Sequence, residues 1–224
     1  MNATSYLCPL PDGSSAAEYA LGFDRGNAQR LLIVPALFDE GHRMRRLCVD
    51  VMRRLDGSGI DSFLPDLPGT NESISNLTAL ALFDWTVAMS SAANHFQATH
   101  VFAVRGGCLV VPTGLPGWSY GPIKGASLMR TLIRARVLAS READREESGE
   151  GLLIEAQEHG IELAGYRLGA AMVQQLQAAL PVPDLDEIDQ DVLNGSPLWL
   201  RSEPDADATQ ADALAAYLTL SIRG

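Results

Sequence analysis

The residues with the clearest chemical meaning lie in Thr99–Val111, THVFAVRGGCLVV. An apolar run, Val101–Val104, breaks at Arg105 into Gly106 and Gly107, and apolar residues suited to the start of a helix follow. This is the layout of a strand-to-helix turn that lifts one side chain above a sheet, where a serine could attack a carbonyl. Small neighbours are needed there because the turn brings two backbones close together. On the G-x-S-x-G template, Ala103, Arg105 and Gly107 take the glycine, serine and glycine positions. The attacking group is therefore missing, since a guanidinium stays charged and carries only donors. The base is missing too. The histidines are His42, His95, His100 and His159, whereas a triad built on this turn needs its histidine after the last strand. No residue is assigned a catalytic role.

Other nucleophiles and bases fit less well. Cys108 falls one turn past Arg105 and is expected to point into the core, as free cysteines usually do; Ser119 lies further downstream. His42 follows an apolar run, where an oxyanion loop would lie, although a partly exposed residue at a helix start is the favoured reading. Arg105 itself has two readings. At the carboxyl end of a central strand it could receive a small anionic ligand beside a helix N-terminus. It could also pair internally, because a half-buried guanidinium needs a carboxylate. Glu40 is the first candidate partner, with Asp39 and Asp66 as reserves, and Arg45 or Arg46 could serve the same carboxylates. The candidate ligand site is thus Arg105, Glu40, Asp39, His42 and Asp66.

The elements that must position these residues can be read in chain order. Tyr6–Leu10 and Glu18–Phe23, joined by Pro11-Asp12-Gly13-Ser14, predict an antiparallel edge hairpin. Leu31–Leu37 is a continuous apolar run, as in a parallel strand covered on both faces. Met44, Leu47, Cys48, Val51, Met52 and Leu55 then recur at helical spacing until Gly57 and Gly59. Ile60–Leu64 predicts a strand and Asp66–Ser73 a loop. A helix is expected over Asn76–His95, burying Leu80, Phe83, Val87, Ser90 and Ala93, before a third strand at Thr99–Val104 in the middle of the sheet. Such alternation implies a mostly parallel sheet with right-handed crossovers. Beyond it, Pro112 cuts the next helix short and Trp118–Tyr120 has room for a stub of strand. Helices are expected at Ser127–Leu138, Leu168–Leu180 and Gln210–Ile222, a loop over Arg141–Gly151, and a last strand at Leu198–Leu200.

Composition narrows the function classes. The chain has 224 residues, 46% of them hydrophobic, enough for the core of a single domain spanning 1–224. Its net charge is −11, and from residue 181 onward nine acids, Glu203 among them, face two arginines. No basic stripe exists to displace the counterions of a duplex, which excludes nucleic acid as a partner. No apolar run approaches the roughly 20 residues of a membrane span, and MNATSYLCPLPDG lacks the marks of a signal peptide, so the expected location is cytoplasmic. Cys8, Cys48 and Cys108 stand apart without metal-ligand spacing, and neither metal nor cofactor is expected.

Three blocks carry a family resemblance. VPALFDEGHRMRRL, FLPDLPGTNES and HVFAVRGGCLV, in this order, resemble the α/β-hydrolase fold and, more closely, the bacterial exosortase A system-associated hydrolases. Val34, Pro35, Phe38, Glu40, Arg45 and Arg46 match the first block of that family. Pro65, Asp66, Leu67, Gly69 and Ser73 match the second, and Arg105 and Gly107 the third, with Trp85 in the helix between them. Glu162–Leu168 is similar to a short element near the end of the family's lid. The match covers about residues 30–180, and those proteins also carry arginine at the nucleophile position. The resemblance implies an α/β fold with helices on both faces of the sheet and a small helical lid at about 122–180. It further implies a degenerate site that binds a small anionic ligand or a protein partner in extracellular-polymer and sorting systems. Two alternatives stand beside this: an ester or thioester hydrolase with relocated nucleophile and base, and a protein–protein interaction module.

Overall fold

The computed structural model describes residues 1–201 and 205–224, so Glu203 of the acidic run lies outside it. β1 (Asn2–Pro9) and β2 (Ser15–Phe23) form the expected antiparallel hairpin at one edge of the sheet. β3 (Arg30–Val34) follows, ending three residues before its apolar run does, because Pro35 has no N–H to give to a neighbouring strand. α1 (Asp39–Gly57) buries all six residues of the expected face, Met44, Leu47, Cys48, Val51, Met52 and Leu55. Each large apolar side chain so buried contributes about 1.5–3 kcal/mol. β4 (Asp61–Pro65) is next.

The second helix departs from expectation. Leu77–Ala79 is a separate 3-10 turn capped by the Asn76 side chain, Leu80 and Ala81 are extended, and α2 spans only Leu82–His95. The break resets the helical phase: Trp85, Ala88, Met89 and Ala92 face the core, and Phe83, expected inside, is 65% exposed. β5 (His100–Val104) then passes into a 3-10 turn, Arg105–Leu109, in place of the start of an α-helix. β6 (Gly117–Tyr120) is the expected stub.

Between β6 and the last strand, the chain forms α3 (Gly125–Glu142), α4 (Gly149–His159), a small hairpin of β7 (Ile161–Leu163) and β8 (Tyr166–Leu168), and α5 (Ala170–Ala178). The expected loop Arg141–Gly151 is therefore shorter, since Ser148 caps α4 by accepting from the Gly151 N–H. β9 (Asp186–Ile188) closes the sheet inside the acidic segment. Leu198–Leu200, expected as that strand, is a 3-10 turn after α6 (Gln190–Leu193), and α7 (Ala208–Arg223) ends the fold.

The sheet order is β1-β2-β4-β3-β5-β6-β9, with β2 antiparallel to β4 and every pair from β4 to β9 parallel. β3 is thus the middle strand of seven and β5 its neighbour, because the hairpin adds two strands on the β4 side. Side chains alternate across the sheet. Leu31, Ile33, Phe102 and Val104 meet α1 and α7, while Leu32, Val34, Val101 and Ala103 meet α2, α3 and α5. Burial on both faces is why β3 and β5 read as unbroken apolar runs.

Candidate functional site

The carboxyl ends of β3, β4 and β5 gather the candidate residues. Arg105 closes β5 with φ +53°, a left-handed conformation that a non-glycine residue holds only when its surroundings impose it. The imposition comes from its neighbours. A Cβ on Gly107 would stand 2.4 Å from the Pro35 carbonyl oxygen, so the turn is pressed against the end of β3 and only glycine fits. The side chain of Arg105 is driven upward by this turn, and there each of its three nitrogens donates a hydrogen bond.

The guanidinium meets Glu40 as a two-pronged ion pair: Nε donates to Oε2 at 3.0 Å and Nη2 to Oε1 at 2.9 Å. Nη1 donates to the Gly121 carbonyl at 2.8 Å, and the Trp199 ring covers the group at 4.4 Å. Gly121 is itself required, since a Cβ there would lie 2.6 Å from that indole. Both partners of the pair are only 12% exposed. Glu40 lies in the first turn of α1, where the helix dipole favours a carboxylate.

The remaining candidates divide between a buried anchor and a groove. Asp66 is wholly buried and accepts from Arg45 Nη1 at 2.7 Å and Asn71 Nδ2 at 2.8 Å. Asp39 pairs with Arg43 one turn along α1. His42 is exposed, and its Nε2 lies 3.0 Å from the Tyr166 hydroxyl. Asp39, His42, Asn71 and Tyr166 share the lining of a groove of about 800 Å³ between segment 69–78 and the turn joining β7 to β8. Burial raises the Tyr166 hydroxyl above the usual phenol range, with a smaller push from the Asp39 charge. The structure thus brings Arg105 to Glu40 and Asp39 to His42, and sets Asp66 apart with Arg45. Arg46 is exposed, 3.9 Å from Asp50.

No serine or cysteine hydrogen-bonds a histidine among the described residues; the hydroxyl–imidazole contacts are Tyr166 with His42 and Thr99 with His100. Thr99 and His100 sit at the opposite end of β5. Burial pushes the thiols of Cys8, Cys48 and Cys108 up to about 12, so none is a ready thiolate at neutral pH. Cys108 Sγ faces the Ala103 carbonyl at 3.5 Å. Asp189, after β9, is used as a helix cap and accepts from the Asp191 N–H at 3.0 Å. Among the described residues, no group of three or more His, Cys, Asp or Glu is placed to hold a metal, and no helix is long and apolar enough to cross a membrane. Trp199, Gly121 and Tyr166 are site residues that spacing alone could not nominate.

Solved structures share this architecture. A protein from Agrobacterium vitis S4, named as a candidate hydrolase, superposes with a TM-score of 0.54 at 15% identity, over 80% of this chain and 72% of its own. The strand order, the strand directions and that superposition agree. The chain has the α/β-hydrolase fold. The esterase EaEST from Exiguobacterium antarcticum gives a TM-score of 0.47 at 13% identity, over 81% of this chain and 75% of its own. Est1E from Butyrivibrio proteoclasticus gives 0.47 at 15%, over 80% and 70%. No protein-family model and no curated protein matches the sequence.

Proposed function

We propose that this α/β-hydrolase-fold protein is a binding or accessory protein and not an enzyme. The observation that carries the reading is the state of Arg105. It stands at the nucleophile position of a degenerate elbow, with its guanidinium held by Glu40, Gly121 and Trp199. Acyl transfer needs a polarised hydroxyl or thiol at that point and a base within hydrogen-bond reach. Trp199, on the segment after the last strand, covers the guanidinium, and no histidine follows His159.

In this reading Arg105 is a strut that joins β5 to α1, and the ligand seat is the groove beside Asp39, His42 and Tyr166. The segment at about 122–180 acts as the lid, its β7–β8 turn forming one wall of that groove. The blocks shared with exosortase A system-associated hydrolases support placing the binding role in an extracellular-polymer system. The test is turnover of p-nitrophenyl acetate and butyrate by the purified chain. Rates equal to the buffer blank are expected. Turnover that a single Ser or Cys substitution abolishes would overturn the proposal in favour of a relocated nucleophile.

A further inference from the structure

We infer that the groove between segment 69–78 and the β7–β8 turn is a carbohydrate site that takes a neutral oligosaccharide. This deepens the binding-protein reading by naming a ligand class for its groove.

Two buried carboxylates hold the groove wall. Glu18, 1% exposed, uses Oε1 to accept from Ser73 Oγ at 3.0 Å and Ser75 Oγ at 2.7 Å. Asp66, wholly buried, holds Asn71, and Trp85 Nε1 donates to the Pro68 carbonyl at 2.9 Å. Ser73 Oγ also accepts from the Gly69 N–H at 2.8 Å. Burying two carboxylates is expensive. Their shared effect is to fix a polar loop in one shape, which is the preorganisation a recognition surface needs. Backbone strain gathers at the same place, with φ +48° at Asn71 and +49° at Ala164.

The hydrogen-bonding capacity left over selects the ligand. Asp39 and Arg167 are the acidic and basic side chains of the lining, one of each sign, and each has an ion-pair partner, Arg43 and Glu162. The lining thus carries no excess of either sign to favour a charged ligand. The threonine hydroxyls have committed their protons locally: Thr70 Oγ1 donates to the Leu67 carbonyl at 2.7 Å and Thr78 Oγ1 to Asn76 Oδ1 at 2.8 Å. Each offers lone pairs to the groove. Asn76 is the reverse case, with Oδ1 occupied by Thr78 and its two amide protons uncommitted. Asn71 retains one proton and its oxygen.

A ligand matching this mixture needs groups that donate and accept from the same atom, which are hydroxyls. A peptide backbone also does both, but peptide recognition relies on pockets for alternate side chains, and among the described residues the apolar surface of this lining comes from Leu77, Ala164 and the Tyr166 ring. The volume of about 800 Å³ lies within the range of small-molecule sites.

The test is a backbone-amide NMR titration of the full chain with cellotriose, maltotriose and xylotriose, set against trigalacturonate, a chitosan trimer and a Gly-Ser tripeptide. At least one neutral trisaccharide is expected to shift amides in 69–78 and 164–167 more strongly than any charged or peptide probe. Asn76→Asp keeps the capping oxygen and removes the two donors, so it should weaken that sugar by about tenfold while leaving the urea midpoint unchanged. Shifts from none of the neutral sugars, or tighter binding of a charged or peptide probe, would overturn the inference. Ester turnover bears on the binding-protein reading alone, so the two can fail separately.

Discussion

Arg105→Ala removes one partner of a bidentate ion pair whose members are each 12% exposed, leaving Glu40 charged and largely out of water. Stranding one member of a buried pair costs about 3–5 kcal/mol. The Gly121 carbonyl loses its donor as well, and a hydrogen bond of that kind contributes about 1 kcal/mol. Against this, Glu40 sits in the first turn of α1, where the helix dipole returns up to about 2 kcal/mol to a partly buried carboxylate. The balance favours a loss of about 3 kcal/mol, or a fall in Tm of roughly 6–12 °C for a chain of this size. Urea unfolding followed by circular dichroism measures it, with Glu40→Gln and the Arg105→Ala/Glu40→Gln pair completing a double-mutant cycle. The double variant should recover part of the loss, because the stranded charge is gone. An Arg105→Ala protein within about 0.5 kcal/mol of the parent, the range of an ordinary surface change, would refute the reasoning and return the arginine to the role of a ligand receptor.

Gly107→Ala should destabilise by about 1–3 kcal/mol or prevent folding, since its Cβ would lie 2.4 Å from the rigid Pro35 carbonyl; soluble yield and the urea midpoint report it. Glu147 has a pKa of about 2, lowered from the usual 4.5 first by the Arg136 bond and then by Ser140. Its folded pKa is depressed, so its contribution is present above about 4.5 and lost as pH falls through about 2. The midpoint difference between the parent and Glu147→Gln should follow that course, and a difference that grows on acidification would contradict it. The three buried thiols should resist dithiobis-nitrobenzoate in the native state and react only on unfolding, with native reaction of Cys108 the contrary result.

Much of the fold was legible because its parallel strands are buried on both faces. Leu31–Val34 and Val101–Val104 could be read as strands without any partner in view, and α1 declared its inner face through six apolar positions. β9 was hidden because it has three residues, two of them acidic and exposed, and only Ile188 turned inward. α2 was misphased because Asn76 caps a short turn of its own, and sequence periodicity cannot see a reset at Leu80 and Ala81. At the site, Glu40 could be named as the partner of Arg105 because both follow strand ends. Gly121, Trp199 and the Tyr166–His42 contact could not be named. They depend on how the segments after β6 and β9 fold back over the sheet, and Tyr166 and His42 stand 124 positions apart.

In the reading proposed above, Arg105 is a strut where an attacking group would stand. The decisive experiment is the intact mass of the native chain after exposure to a fluorophosphonate probe, which reacts with activated serines. An unmodified mass is predicted, both for the parent and for Arg105→Ser, because no serine or cysteine is hydrogen-bonded to a histidine among the described residues. Stoichiometric labelling of one serine in the parent would contradict the account.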